Sequence, residues 1–376
     1  MNFKVNRLLV FAAVLVASGS VEATKSRLEA LGQSSSGSYY VDDDRNIFLN
    51  PARLFSVKDK VVFEWGAAGA TTVKTDGPAN PKAEGGLFLG SPNFSYGFYL
   101  GDENPEIIAM RNRANTTLLK PDNTLGLFVG PSKEGGSVNT IWGAHLSYSG
   151  NKIQNGALEQ DEQMLVVKGG TVLSENTDVF GHLSLLDTAK GTTTNNSDEW
   201  TGSLGFKLGA SHDFSKFRLF GHYASLSGEF DPSAGAKTDH SGSELVIGAS
   251  RKKTFGEGAA LFYALQYQRV FIGESPEGGT KTETTAQMAP VLIAVEAPAA
   301  SWLTLRGAIQ QAILINSTET KAGSSTATSS TADTTSVSAG MTISFDKFAF
   351  DGSFTTTGGT LNATNLMSRV GMNYTF

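Results

Sequence analysis

The last eleven residues, Leu366 to Phe376, alternate strictly. Phe376, Tyr374, Met372 and Val370 are apolar or aromatic, and Thr375, Asn373, Gly371 and Arg369 lie between them. Side chains two apart on a strand share a face, so this stretch puts its greasy groups on one side and its polar groups on the other. The same period recurs upstream. Trp200, Leu204, Phe206, Leu208 and Ala210 are expected to face one way, as are Val337, Ala339, Met341, Ile343 and Phe345, and then Phe348, Phe350 and Phe354. Trp142-Ala144-Leu146-Tyr148, Phe94-Tyr96-Phe98-Leu100, Leu261-Tyr263-Leu265-Tyr267 and Leu303-Leu305-Ile309 repeat it. Most of these runs have the roughly nine to eleven residues that a tilted strand needs to cross hydrocarbon. Leu87-Phe88-Leu89 and Leu125 to Val129 are shorter.

A final strand that alternates and closes on Phe resembles the assembly signature of bacterial outer-membrane β-barrels. Composition agrees: apolar residues are scattered singly, and only 18% of the chain is charged. Scattering is what a barrel wall requires, because lipid-facing and lumen-facing residues alternate along each strand. In lipid every backbone N–H and C=O needs an internal partner, so such strands must close without edges. The net charge of −6 and the lack of a basic stripe argue against a nucleic-acid partner.

Residues 1–23 read as a cleaved export signal. Lys4 and Arg7 precede a short apolar run from Leu8 to Ala17, and Val21-Glu22-Ala23 is a small-residue cleavage site. The chain has no Cys, which excludes a disulfide framework. Residues 24–59 form a polar segment without alternation, expected to lie in the periplasm or the lumen, where it could act as a plug; Ser26 to Gly32 could make one helical turn. Residues 60–376 are the expected barrel.

Turns and loops between the strand-like runs are of two kinds. Ser91-Pro92-Asn93, Asp213-Phe214-Ser215, Ala297-Pro298-Ala299 and Asp346-Lys347 are short, whereas Val73 to Lys82, Asp102 to Asp122, Gly150 to Gln160, Asn316 to Asp333 and Gly358 to Asn365 are long and polar. The two kinds alternate, as tight periplasmic turns and long outer loops do. The fold expected is an all-β, closed antiparallel transmembrane β-barrel of about sixteen strands, with a range of about 14–18.

Charges within strands mark the inner wall. Glu64, Lys168, Lys207, Glu244, Arg306, Asp351 and Arg369 each sit opposite their strand's apolar set. On the lipid face an Arg or Lys near the midplane would cost about 2–4 kcal/mol. They are therefore expected to line a pore. In the longest loop Ile107, Ile108 and Met110 could anchor a fold-in constriction, with Arg111, Arg113 and Lys120 reaching the channel; an external loop is the plainer alternative. Trp65, Trp142, Trp200, Trp302, Tyr148, Tyr374 and Phe376 fall near strand ends, where aromatic rings favour the membrane interface. Met372, Tyr374 and Phe376 also make up the assembly signal. The five His are scattered without a hydrolase or metal motif, so neither catalysis nor a cofactor is expected.

Val41 to Leu54 carries Asp42, Asp43, Phe48, Asn50, Pro51, Ala52 and Leu54. This resembles the Asp-Asp and Asn-Pro-Ala box of the FadL-type long-chain fatty-acid transporter superfamily, with Asp44 in place of a usual Ala and Arg53 in place of a usual Gly. That resemblance implies a segment entering the barrel as a hatch. The pattern of Ser26 to Gly32 followed by the box is also similar to the major outer-membrane porins of predatory bdellovibrios, which implies a general diffusion pore and a homotrimer.

The function expected first is a porin in the outer membrane of a Gram-negative bacterium, passing small hydrophilic solutes and ions. Its partners would be outer-membrane lipids, lipopolysaccharide and the barrel-assembly machinery. The alternatives are a hatch-bearing transporter of hydrophobic compounds and a structural or surface-recognition barrel. The transporter would have fewer strands, an apolar lumenal pocket and a wall broken near Pro290, since Pro removes a ladder donor.

Overall fold

The computed structural model describes residues 24–66, 83–115, 118–132, 140–156, 158–174, 176–192, 196–256, 258–330, 335–357 and 369–376. The expected export signal at 1–23 and the expected loops at 73–82 and 358–365 lie outside them. Sixteen antiparallel wall strands run β1 (Lys60–Gly66), β2 (Ala83–Gly90), β3 (Phe94–Leu100), β4 (Thr124–Pro131), β5 (Thr140–Asn155), β6 (Leu158–Leu173) and β7 (Thr177–Thr192). There follow β8 in two halves (Ser197–Gly202 and Gly205–Asp213), β9 (Arg218–Asp231), β10 (Thr238–Phe255), β11 (Ala259–Pro276) and β12 (Thr282–Ala300). The wall ends with β13 (Leu303–Ala322), β14 in two halves (Ser325–Ser330 and Ser336–Phe345), β15 (Phe348–Thr357) and β16 (Arg369–Thr375). Both halves of β8 pair with β7 and β9, and both halves of β14 pair with β13, so each couple is one wall strand.

β1 pairs with β2 on one side and with β16 on the other, Phe63 opposite Met372 and Trp65 opposite Val370. The ladder therefore closes and leaves no open edge. Phe63, Tyr96, Leu127, Leu208, Ile247, Leu265, Ile293 and Phe350 are among the large apolar groups exposed on the outside. Their strand neighbours Tyr99, Phe128, Val246, Phe262 and Leu292 are buried inside. An apolar exterior round a closed ladder is what a hydrocarbon surround stabilises.

Some sequence expectations change. Gly150 to Gln160, expected as a long loop, is mostly strand, Gly150 opposite Gln163 through Asn155 opposite Leu158. Trp200 is not at the membrane interface; it faces inward, fully buried, and its Nε1 donates to Asp187 Oδ2 at 2.9 Å. The cause is a one-residue bulge between the halves of β8. Gly202 lies opposite Gly228 but Phe206 opposite Ser225, four residues against three, which turns the alternation over. Residues 316–330 are not an irregular loop but a hairpin, Ser317 opposite Ser330 through Ala322 opposite Ser325. The Thr-rich sequence suits a strand, and Gly323 supplies the left-handed turn at φ 58°. Of the two places expected for residues 24–59, they take the one inside the wall, as α1 (Lys25–Ala30), α2 (Asn46–Leu49) and a 3-10 helix (Pro51–Ser56).

This inner segment is fixed by ordinary chemistry. Thr24 caps α1, its hydroxyl accepting from Arg27 N at 3.2 Å. Leu28 and Leu31 pack on Phe220, Phe262 and Leu292 of one wall, while Ile47, Phe48 and Leu54 pack on Val62, Phe88, Tyr99 and Phe128 of another. Inward wall glycines make the bed. A Cβ at Gly143 would stand 2.2 Å from Pro51 O, and one at Gly340 would stand 2.5 Å from Ala30 Cβ. Glycine within a strand marks such close approach of a second backbone.

Candidate functional site

The Asn50-Pro51-Ala52 box clamps the segment to the wall. Asn50 Oδ1 accepts from Ala52 N at 3.0 Å, and its Nδ2 donates to Asp178 Oδ1 of β7 at 2.8 Å. Pro51 starts the 3-10 helix, where a missing N–H costs nothing. Asp43 Oδ1 accepts from Arg45 N at 2.9 Å and its Oδ2 from Arg27 Nη1 at 2.8 Å, while Asp42 pairs with Lys252 at 3.3 Å. The two departures from the box pattern are themselves wall contacts: Arg53 meets Asp178 and Asp44 meets Lys60, each at 2.5 Å.

The seven charges expected to line a water-filled pore do face inward, where each meets a polar partner; Lys207 and Glu244 also border the cavity described below. Glu64 accepts from Lys25 N at 2.7 Å and from Arg45 Nη1 at 3.1 Å. Lys168 donates to Phe48 O at 3.3 Å, and Arg369 meets Glu29 at 3.2 Å. Arg306 joins Glu296 and lies 3.4 Å from Asp351, and Glu296 also accepts from Arg27 Nε at 2.9 Å. Lys207 meets Glu106 at 3.0 Å, and Glu244 meets His222 at 3.0 Å. Charges taken out of water need such partners, and the inner segment provides many of them. Burial disfavours the charge on Arg45, but Tyr99, Glu84, Glu64 and Asp102 around it outweigh burial and hold the guanidinium protonated.

The long loop turns inward as well. Asn104 caps α3 (Pro105–Ala114), accepting from Ile107 N at 3.1 Å. Ile107 packs on Met164 and Val166, and Met110 on Trp200 and Ala189. Arg111 is not presented to a channel. It is fully buried, donating to Asp187 Oδ1 at 2.7 Å, to Leu119 O at 2.8 Å and to Glu162 Oε2 at 3.2 Å. Arg113 is exposed and Lys120 half-buried. The apolar anchors were legible in the sequence; the acidic pair that takes Arg111, Glu162 and Asp187, stands 51 and 76 positions away along the chain.

Between the inner segment and α3 lies a cavity of about 440 Å³. The stretch Gly32 to Tyr40 forms one side, Pro105 and Glu106 another, and inward residues of β8 to β13 the third. Tyr39 stacks on Phe220 with centroids 4.9 Å apart and planes at 14°. Its hydroxyl lies 2.8 Å from His222 Nδ1, while His222 Nε2 meets Glu244. Burial, then the charges of Glu244 and Glu106, push the Tyr39 phenol up, so it stays neutral. Of the other histidines, His182 donates to Leu49 O at 2.8 Å, and His145 lies flat on Phe128 with centroids 3.9 Å apart.

Pro290 borders this cavity. Its strand slips there against β13: Met288 lies opposite Asn316 but Pro290 opposite Ala312. The ladder is thus irregular where the sequence placed a kink, although the strand number is sixteen and the cavity is partly polar, not the smaller barrel and apolar pocket expected with a transporter.

No protein-family model matches the sequence, and no curated relative does. Among solved structures, the chain is similar to the CymD monoaromatic hydrocarbon channel, at 11% identity over 96% of this chain and 99% of that one, with a TM-score of 0.38. It is similar to the Pseudomonas putida toluene transporter TodX at 11% identity over 89% and 95%, TM-score 0.35. It is also similar to a loop-L8 deletion mutant of OmpT, an outer-membrane protein of Vibrio cholerae, at 9% identity over 84% and 97%, TM-score 0.34. These similarities are too distant to set any residue of one chain against a residue of another.

Proposed function

We propose that this outer-membrane barrel is a plugged, ligand-binding uptake channel for small organic compounds and not a general diffusion porin. The observation that carries the reading is the cavity held between the inner segment and α3. A porin needs a continuous water path, whereas here an ion-paired, apolar-packed segment lies within the wall beside a wall-bounded pocket. Pockets of this size, with apolar rings and a few convergent polar groups, are the usual form of a small-molecule site. Residues 24–59 then act as the plug, and Arg27, Arg45 and Asn50 as its fastenings. The irregular ladder at Pro290 is the wall position by which a hydrophobic part of the ligand would leave sideways.

Two assays on the folded protein test this. Liposomes carrying it are expected not to swell in arabinose, which a general porin admits. Cells with an otherwise intact outer membrane are expected to accumulate a radiolabelled small aromatic compound saturably, and only when the protein is present. Rapid arabinose entry with no saturable uptake would return the porin reading.

A further inference from the structure

We propose that the cavity takes a neutral aromatic compound bearing hydroxyl or amide groups, in preference to a bare hydrocarbon or an ion. This rests on the reading of the chain as a plugged, ligand-binding channel and narrows it to a class of ligand.

The aromatic preference comes from the Tyr39–Phe220 stack, which brings two ring edges and faces to the border of the cavity. The demand for hydrogen bonds comes from Gln266 and Gln310. Both line the cavity half-buried, from β11 and β13, and neither side-chain amide bonds to another described residue. Each amide offers two N–H donors and one carbonyl acceptor. Water satisfies them in the free site. A hydrocarbon that displaced this water would strand them, and leaving a buried polar group unmade weakens binding roughly tenfold for each.

The case for neutrality is that the cavity's charges are already matched. Lys207 faces Glu106 at 3.0 Å, and Glu244 accepts from Gln268 at 2.6 Å while facing His222 at 3.0 Å. An ion entering there would lose its hydration without meeting an unpaired opposite charge. Size agrees as well. At about 30 Å³ for each water, the cavity corresponds to roughly fifteen waters, enough for one substituted ring.

The test is calorimetry of the full-length folded protein in lipid nanodiscs, corrected with empty discs, using 4-hydroxybenzamide, toluene and benzoate. The expected order has 4-hydroxybenzamide at least tenfold tighter than either of the others. The double variant Gln266→Leu, Gln310→Leu, close to isosteric, is expected to lose roughly tenfold or more toward 4-hydroxybenzamide while toluene holds or gains. Tighter binding of toluene or benzoate by the wild type would overturn the ligand class and leave the ligand-binding channel standing. Equal loss-free binding by the double variant would remove the two amides from the argument and overturn it. Binding of none of the three would overturn the channel reading together with this one. If the double variant fails to fold, the wild-type order alone decides.

Discussion

Arg45 of the inner segment donates to Glu64 of β1, Nη1 to Oε1 at 3.1 Å, and the same nitrogen lies 2.9 Å from Glu84 Oε1 on β2. The guanidinium also stands 4.3 Å over the Phe48 ring. One plug cation thus holds two adjacent wall strands. Removing one partner of a buried ion pair leaves the other charge uncompensated, at about 3–5 kcal/mol. Arg45→Met should therefore weaken plug docking by about that amount while the barrel stays closed. The check is proteolysis of residues 24–59 in a barrel whose heat-shifted gel mobility is unchanged. Wild-type protection in the variant would mean that this pair does not fasten the plug.

Gly143→Val tests the seat from the wall side. The new Cβ would meet the backbone at Pro51 O and Ala52 N, 2.2 and 2.5 Å away, and backbone cannot swing aside as a side chain can. The barrel should form, because Val suits a strand, but the 3-10 helix should lose its place. Trypsin would then cut at Arg53, which the wild type shields. Equal resistance would show that the segment has room to shift.

The α3 contact should resist acid. Desolvation in the lumen raises the Glu106 carboxyl, but the charge and hydrogen bond of Lys207 outweigh it and bring the group down to about 2. A carboxyl lower in the folded than in the unfolded state stabilises above its unfolded value of roughly 4.3 and loses that contribution as pH falls toward the folded value. In a variant retaining Trp200 alone among the tryptophans, its emission reports α3 docking through Met110. The spectrum should hold from pH 7 to about 4 and shift only below, as the pair is lost. A shift already complete at pH 5 would contradict the pairing.

The outer face makes its own prediction. Leu265 is exposed on β11 with its side chain outward, whereas Ala327 lies in the hairpin extension of β14. Leu265→Arg should cost about 2–4 kcal/mol of folding stability in lipid, and Ala327→Arg close to nothing. Equal effects in denaturant titrations would place the membrane band elsewhere on the barrel.

The lipid face was legible because one solvent, hydrocarbon, selects every second residue in every strand. The lumen was harder, since two neighbours share it. Phe88 and Phe128 sit beside the outward residues Leu87 and Leu127, so their strands read as continuous apolar runs. Leu87-Phe88-Leu89 and Leu125 to Val129 looked merely short, yet they are where lipid lies outside and plug inside. Strands buried on both faces lose their alternation. The Asn-Pro-Ala box showed a turn and not its wall partner, because Asp178 is 128 positions from Asn50. The bulge that turns Trp200 inward left no mark in composition. The inward glycines Gly143 of β5 and Gly340 of β14 mark where the plug backbone is seated, a sign that spacing alone does not separate from other strand glycines.

Single-channel conductance of the purified, folded protein in a planar bilayer bears most directly on whether the lumen is plugged. The wild type should be silent or show only small, brief steps, and the Arg27→Ala, Arg45→Met double variant should add large ones. Large, steady, weakly selective steps from the wild type would contradict the account and make the chain an open porin.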